Sequence, residues 1–207
     1  VRIFLAAVAR EWCTGLFLTT GIAGRPVKVM DDLIEVLALL REKHRFAGYI
    51  HVKMVPGGDA AQIERLTTLA TRVSFNLEAP CGDTLRSIAP EKNLATSLVQ
   101  VERVRTQVNE RRSEEREGRR RDALHPGGTA GMTMQFVVGA TPDSDRTIIG
   151  RMTELYAGRG IHHTHFAAFR PIRNTPLENL RATPAVREQR LYQTDYLLRE
   201  YGILPRE

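Results

Sequence analysis

The chain has 207 residues, 42% of them hydrophobic and 26% charged, which is room for one well-buried domain of ordinary globular composition. Its longest apolar run, near Leu33 to Leu40, is interrupted by Glu35 and far too short to span a bilayer; nothing at the N-terminus reads as a signal peptide, so a cytoplasmic protein with no membrane partner is expected. The net charge of +6 fits an anionic partner such as nucleic acid, but Glu110, Glu114, Glu115 and Glu117 offset the arginines of 111–121, and a mixed-charge run of that kind reads as a solvated helix face.

Strand-like and helix-like patterns alternate along the chain. The first ten residues read as the end of a helix, and Gly15 to Thr20 as a buried strand closed by Gly21. From Met30 to His44, Leu33, Val36, Leu37 and Leu40 recur at helical spacing, with Asp31 and Asp32 placed favourably in the first turn. Tyr49 to Met54 is the next strand, closed by Pro56-Gly57-Gly58, and Asp59 caps a helix through Ala70. Val73 to Leu77 is strand and Asp83 to Ile88 a short helix. A longer helix starts near Ala95 on a stripe of Leu98, Val101, Val104 and Val108, and Pro126 to Gly131 breaks it. Met132 to Val138 is strand, Ser144 to Tyr156 helix, and Ile161 to Phe169 strand. Pro171 and Pro176 punctuate the next loop. The last helix, Val186 to Tyr201, carries Leu191, Leu197 and Leu198 on its buried side.

Such alternation predicts a parallel sheet with right-handed helical crossovers. The five strands are too few for a closed eight-strand barrel, so a partial barrel or a doubly wound sheet is expected. Central parallel strands should be apolar on both faces, yet several here alternate. Ser74, Asn76 and Glu78 share one side of their strand, Tyr49, His51 and Lys53 one side of theirs, and Thr133 and Gln135 one side of another. Burying these groups without partners costs several kcal/mol, so the alternation points to a ligand-lined interior. An edge strand with its polar face in water is the other reading, and the helical spacers argue against it. Ligands bind at the carboxyl ends of parallel strands. Thr19-Thr20-Gly21, Lys53, Asn76 with Glu78, Gly139-Ala140 and Phe169-Arg170-Pro171 stand at those ends.

Two other sites come up. His162, His163 and His165 offer imidazoles, two of them on one strand face, but spacing supplies no third ligand, so they read as unligated strand histidines and no metal site is expected. Gly127-Gly128 lacks the Lys-Ser/Thr of a phosphate loop and reads as a linker. Cys13 and Cys81 stand far apart with no C-x-x-C spacing. They read as reduced thiols that cannot by themselves form a zinc site or hold a cubane cluster.

Seven segments, taken in order, resemble radical S-adenosylmethionine (SAM) proteins of the DNA modification or repair group whose genes accompany uracil-DNA-glycosylase-like proteins. They are G-L-F-L-T-T-G (15–21), G-Y-I-H-V-K-M-V-P-G (48–57), R-V-S-F-N-L-E-A-P (72–80), L-R-S-I-A-P-E-K (85–92), M-Q-F-V-V-G-A-T-P-D-S-D (134–145), F-A-A-F-R-P-I (166–172) and A-T-P-A-V-R-E-Q-R-L-Y-Q-T-D-Y-L-L-R-E-Y-G (182–202). The resemblance implies an α/β fold, a partial (β/α)6 TIM-like barrel over 1–180 lacking its first strand and cluster loop, and a C-terminal helix over 181–207 leading to a further extension. It implies a 4Fe-4S cluster that cleaves SAM reductively to a 5′-deoxyadenosyl radical. Thr19, Thr20 and Gly21 would sit near the methionine amino group, and Ser74, Asn76 and Glu78 near the ribose and carboxylate. Val137, Gly139 and Ala140 would offer backbone to the adenine, and Lys53 would join the same cofactor site.

The family's C-x-x-x-C-x-x-C motif is missing from the 207 residues, and the chain opens mid-pattern at Val1 without methionine. A fragment is therefore expected: enzymatic as the full-length parent, inactive alone, and binding no cluster of its own. DNA, a uracil-DNA-glycosylase-like protein and an electron donor are the implied partners. The alternative is a non-catalytic barrel module that binds a nucleotide-like ligand or nucleic acid.

Overall fold

A computed structural model describes residues 1–21, 24–118, 131–157 and 161–205. Gly127-Gly128 and most of the Pro126 to Gly131 break lie outside the described residues. The elements run α1 (Arg2–Ala9), β1 (Gly15–Leu18), α2 (Pro26–Ala38), β2 (Tyr49–Lys53), α3 (Ala60–Leu69), β3 (Arg72–Glu78), α4 (Gly82–Ile88), α5 (Leu94–Arg116), β4 (Gly131–Val138), α6 (Asp145–Ala157), β5 (Ile161–Ala168) and α7 (Ala185–Tyr201). The sheet is ordered β1-β2-β3-β4-β5. Its strands are parallel, as in a partial TIM-like barrel, with Phe17 opposite His51, His51 opposite Arg72 and Lys53 opposite Ser74. Two compact units share this order: Val1–Phe75 with Val99–Met132, and Asn76–Leu98 with Thr133–Glu207.

In the first unit, α2 begins at Pro26, whose fixed φ and missing N–H suit a first helical position. Asp31 and Asp32 therefore fall past the first turn, contrary to the sequence reading, and Asp31 accepts a hydrogen bond from Gln62 Nε2 at 2.6 Å. Leu33, Leu37 and Leu40 are buried. A π turn over Leu39–Lys43 follows α2 and turns Arg41 inward, where it is 0% exposed. Its guanidinium donates to Leu69 O (2.9 Å), Phe46 O (2.6 Å), Gly48 O (2.7 Å) and Thr71 Oγ1 (2.9 Å), tying the entry to β2 to the end of α3. Asp59 and Gln62 close a capping box on α3.

The valine stripe of α5 is buried as expected, at Val101, Val104 and Val108. The charged run is not a wholly solvated face, because Arg111 is buried and donates to Thr67 O and Thr68 Oγ1 on α3. Gln100 clamps the Pro56-Gly57-Gly58 turn, accepting from Gly57 N (3.3 Å) and donating to Gly58 O (3.0 Å).

In the second unit α7 packs on β5 and α6. Its buried residues are Leu191 and Asp195, while Leu197 is exposed, a correction to the expected stripe. Asp195 is tolerated inside because its carboxylate is fully engaged. It accepts from Tyr156 Oη, from Arg199 Nε (2.9 Å) and from Thr164 N (3.4 Å).

Candidate functional site

The site is organised by β3. Its odd positions, Val73, Phe75 and Leu77, are buried apolar side chains that anchor the strand in the core. Its even positions turn polar atoms to the opposite side. Arg72 Nε, Ser74 Oγ and Asn76 Oδ1 are buried without a hydrogen-bond partner, and so is Thr133 Oγ1 on β4. Natively buried polar groups are nearly always paired, so a strand face presenting three such atoms in succession is suited to a polar ligand.

Glu78 ends the row. It takes φ 64°, the left-handed region that costs a non-glycine residue of order 1 kcal/mol or more. Its carboxylate accepts from Lys92 Nζ at 2.6 Å, and the same ammonium lies 3.4 Å from Asn76 O. Both side chains of the pair are largely buried, 16% and 11% exposed, so this contact is screened far less than a surface pair. Lys92 stands in the loop between α4 and α5 and fixes the carboxylate at the strand end.

In the first unit, one face of β1 and β2 carries Phe17, Tyr49, His51 and Lys53. The Phe17 and His51 rings are 4.7 Å apart, and the Lys53 ammonium stands 5.8 Å from the Phe17 centroid. Arg72 lies over Tyr49 at 5.9 Å, and burial pushes the Tyr49 phenol above its ordinary pKa. β1 ends at Leu18, so Thr19, Thr20 and Gly21 form an exposed loop beyond the strand, where Thr20 Oγ1 donates to Gly21 O at 3.0 Å.

In the second unit, β4 is followed by Gly139 with φ 87°, and a Cβ there would meet Thr183 Oγ1 at 2.0 Å. The Thr183 hydroxyl is held in place by donating to Val138 O at 2.7 Å. The glycine thus answers an internal close approach, and only its backbone is available to a ligand. Val137 is half-buried and Ala140 buried. On β5 the rings of His163 and His165 meet edge to face, with Nε2 atoms 2.9 Å and centroids 4.2 Å apart. The His162 side chain is outside what is described.

No group of three potential metal ligands exists among the described residues. Cys13 and Cys81 are free and half-buried. Burial first, then the Asp143 carboxylate, push the Cys81 thiol's pKa up. That favours the protonated thiol, whereas metal ligation needs the thiolate. Sequence reasoning singled out Ser74, Asn76 and Glu78 as one face. It passed over Arg72, whose even position was the available signal, and Lys92, which nothing local marks as the partner of Glu78.

No protein-family profile and no curated protein sequence matches the chain. Among solved structures the fold is similar to a radical SAM methyltransferase from Sphaerobacter thermophilus, at 21% identity and TM-score 0.62 over 98% of this chain and 53% of that one. It is similar also to the FeFe-hydrogenase maturase HydG from Carboxydothermus hydrogenoformans (17%, TM-score 0.65, 95% of this chain and 42% of that one). A third is a domain of pyruvate-formate lyase-activating enzyme from Bacteroides vulgatus (11%, TM-score 0.55, 92% and 96%). The structural neighbours are thus radical SAM enzymes, and the chain spans about half or less of the length of the first two. At these identities the likeness is one of fold.

Proposed function

We propose that this chain is the SAM-binding part of a radical SAM enzyme that acts on nucleic acid. The observation that carries the first half is the even face of β3, where Ser74 Oγ and Asn76 Oδ1 are buried and unpartnered just before the strained, lysine-held Glu78. That donor set fits SAM. A hydroxyl, an amide and a carboxylate match its ribose hydroxyls, α-carboxylate and α-amine, which are otherwise costly to desolvate.

In radical SAM enzymes, cluster-bound SAM supplies a 5′-deoxyadenosyl radical. The part assigned to this chain is binding and orientation. Ser74, Asn76 and Glu78 hold the ribose and carboxylate, with Lys92 keeping the Glu78 carboxylate in place. Thr19, Thr20 and Gly21 receive the methionine amino group, Lys53 adds a positive charge, and Val137, Gly139 and Ala140 give backbone hydrogen bonds to the adenine. The cluster is a different matter. A cubane needs more thiolates than Cys13 and Cys81 provide, and the Cys81 environment favours the thiol, so the residues present do not fit it.

Calorimetric titration of SAM into the wild-type chain, Asn76→Ala and Glu78→Gln tests the reading. Saturable binding is expected in the wild type, weakened at least about tenfold by either substitution, the usual cost of losing one ligand hydrogen bond to a charged group. Equal affinity for all three proteins, or no saturable binding, refutes it. The nucleic-acid half rests on the resemblance of the seven segments and on the net charge of +6. DNA binding whose log affinity falls linearly with log salt concentration is the expected signature, and absence of binding at low salt removes it. The β3 face also serves a second reading, a non-catalytic module for a nucleotide-like ligand. Adenosine competing as well as SAM would favour that.

A further inference from the structure

We infer that His163 and His165 form a two-histidine chelate for a divalent transition-metal ion. The two residues are two apart on β5 and project to the same side of it. On the opposite side, Thr164 (0% exposed) and Phe166 (2%) are packed in the core. The strand is held there by α7. Tyr192 Oη accepts from Phe166 N at 3.1 Å and donates to Phe166 O at 3.2 Å, and Glu188 accepts from Ala168 N at 3.2 Å. The two imidazoles therefore rise from a clamped backbone, the condition under which a small ligand set binds without ordering a loop.

Their spacing serves a mutual hydrogen bond and a shared ligand alike. The Nε2 atoms are 2.9 Å apart, yet the ring centroids are separated by only 4.2 Å. Two rings meeting head-on through a straight N–H···N bond would add a full ring radius at each end. The observed centroid distance is shorter than that, so the N–H···N contact is bent and the two rings meet edge to face. A bent N–H···N contact is weaker than a straight one, and the same spacing lets both nitrogens bind one ion. With metal–nitrogen bonds of about 2.0–2.1 Å, nitrogens 2.9 Å apart subtend close to a right angle at the ion. That is a cis pair of a tetragonal or octahedral centre. It favours copper(II) and nickel(II), which suit imidazole and that geometry, over tetrahedral zinc. Water completes the coordination. The assignment is independent of the SAM-binding reading, since it uses no residue of the β3 face.

The test is titration of the full chain with nickel(II) and copper(II) salts, followed by calorimetry and by copper electron paramagnetic resonance at one equivalent. One ion per chain is expected, with hyperfine coupling to two imidazole nitrogens. His163→Ala and His165→Ala should each weaken binding by about 100-fold, the loss expected when a two-point attachment becomes single. His162→Ala should leave binding and coupling unchanged. His163→Gln and His165→Gln serve as conservative replacements should an alanine variant unfold. Binding that survives replacement of either histidine, coupling to a single nitrogen, or no saturable binding in the wild type overturns the proposal.

Discussion

Replacing Ser74 by alanine and Thr133 by valine should stabilise this chain, and that reversal of the usual direction is the sharpest consequence of the β3 and β4 faces. Both side chains are buried, 3% and 0% exposed, and both hydroxyls lack a protein partner. A buried hydroxyl left unpaired costs about 1–3 kcal/mol. Thr133→Val keeps the shape and removes the hydroxyl. Ser74→Ala removes it at the loss of one small atom, whose void cancels part of the gain. The net expectation is about +1 kcal/mol for Thr133→Val and about half that for Ser74→Ala, set against typical point mutations that destabilise by 0.5–3 kcal/mol.

For a chain of this size 1 kcal/mol moves Tm by about 2–4 °C, which differential scanning calorimetry resolves. The two positions belong to different compact units, so each variant is compared through its own transition where two are seen. Ser74→Ala should also weaken SAM binding in the titration above. Higher stability with weaker binding is the pattern of a polar site kept for a ligand. If both variants lose more than about 0.5 kcal/mol, the hydroxyls serve the fold and the reasoning fails.

Gly139→Ala should lose about 2–3 kcal/mol, combining a left-handed φ with a Cβ set 2.0 Å from a threonine oxygen that is itself hydrogen-bonded; a urea midpoint unchanged from wild type would contradict the contact. Tyr156 offers a pH test. Burial, then the hydrogen bond to Asp195, push its phenol well above the ordinary range, while in the unfolded chain it ionises near pH 10. The folded state therefore holds the proton more tightly, so its stability is full below about pH 10 and falls as pH rises above that. Comparing denaturation midpoints at pH 8 and pH 11 in wild type and Tyr156→Phe checks the sign, since the variant should lose less on the alkaline side.

What the sequence disclosed was periodicity, and periodicity is a local property. The order of strands and helices followed from it, as did the even polar face of β3, because alternation at 74, 76 and 78 is written in consecutive residues. The end of β1 was overdrawn to Thr20 because threonines favour strands, whereas pairing stops at Leu18 opposite Val52. The buried charges stayed hidden for the opposite reason. Arg41 finds acceptors as far along the chain as Thr71, and Arg111 reaches back to Thr67. No window of a dozen residues contains both ends of such a contact. The stripe of α7 shows the same limit. Hydrophobicity selected Leu197, but Tyr156, Thr164 and Arg199 make Asp195 the residue that can be buried.

The distribution of satisfied and unsatisfied polar groups carries the functional argument further than either set alone. Buried polar side chains on helices and their flanks are paired: Arg41 and Arg111 to carbonyls, Gln62 to a carbonyl in the first turn of α2, Gln100 to loop backbone, Asp195 to three donors, Thr183 to a strand carbonyl. Among the described residues, every buried side-chain atom without a partner lies on a strand, and Arg72, Ser74 and Asn76 take consecutive even positions on one of them. Imperfect packing would scatter such atoms over helices, turns and strands alike. Their confinement to strand faces, in a fold whose ligands bind at strand ends, is what a binding face produces. Glu78 adds a second cost at the same end, a left-handed backbone closed by a buried ion pair. Strain and unpaired polarity both persist where surrounding structure holds them and a ligand repays them, and here they meet on one strand.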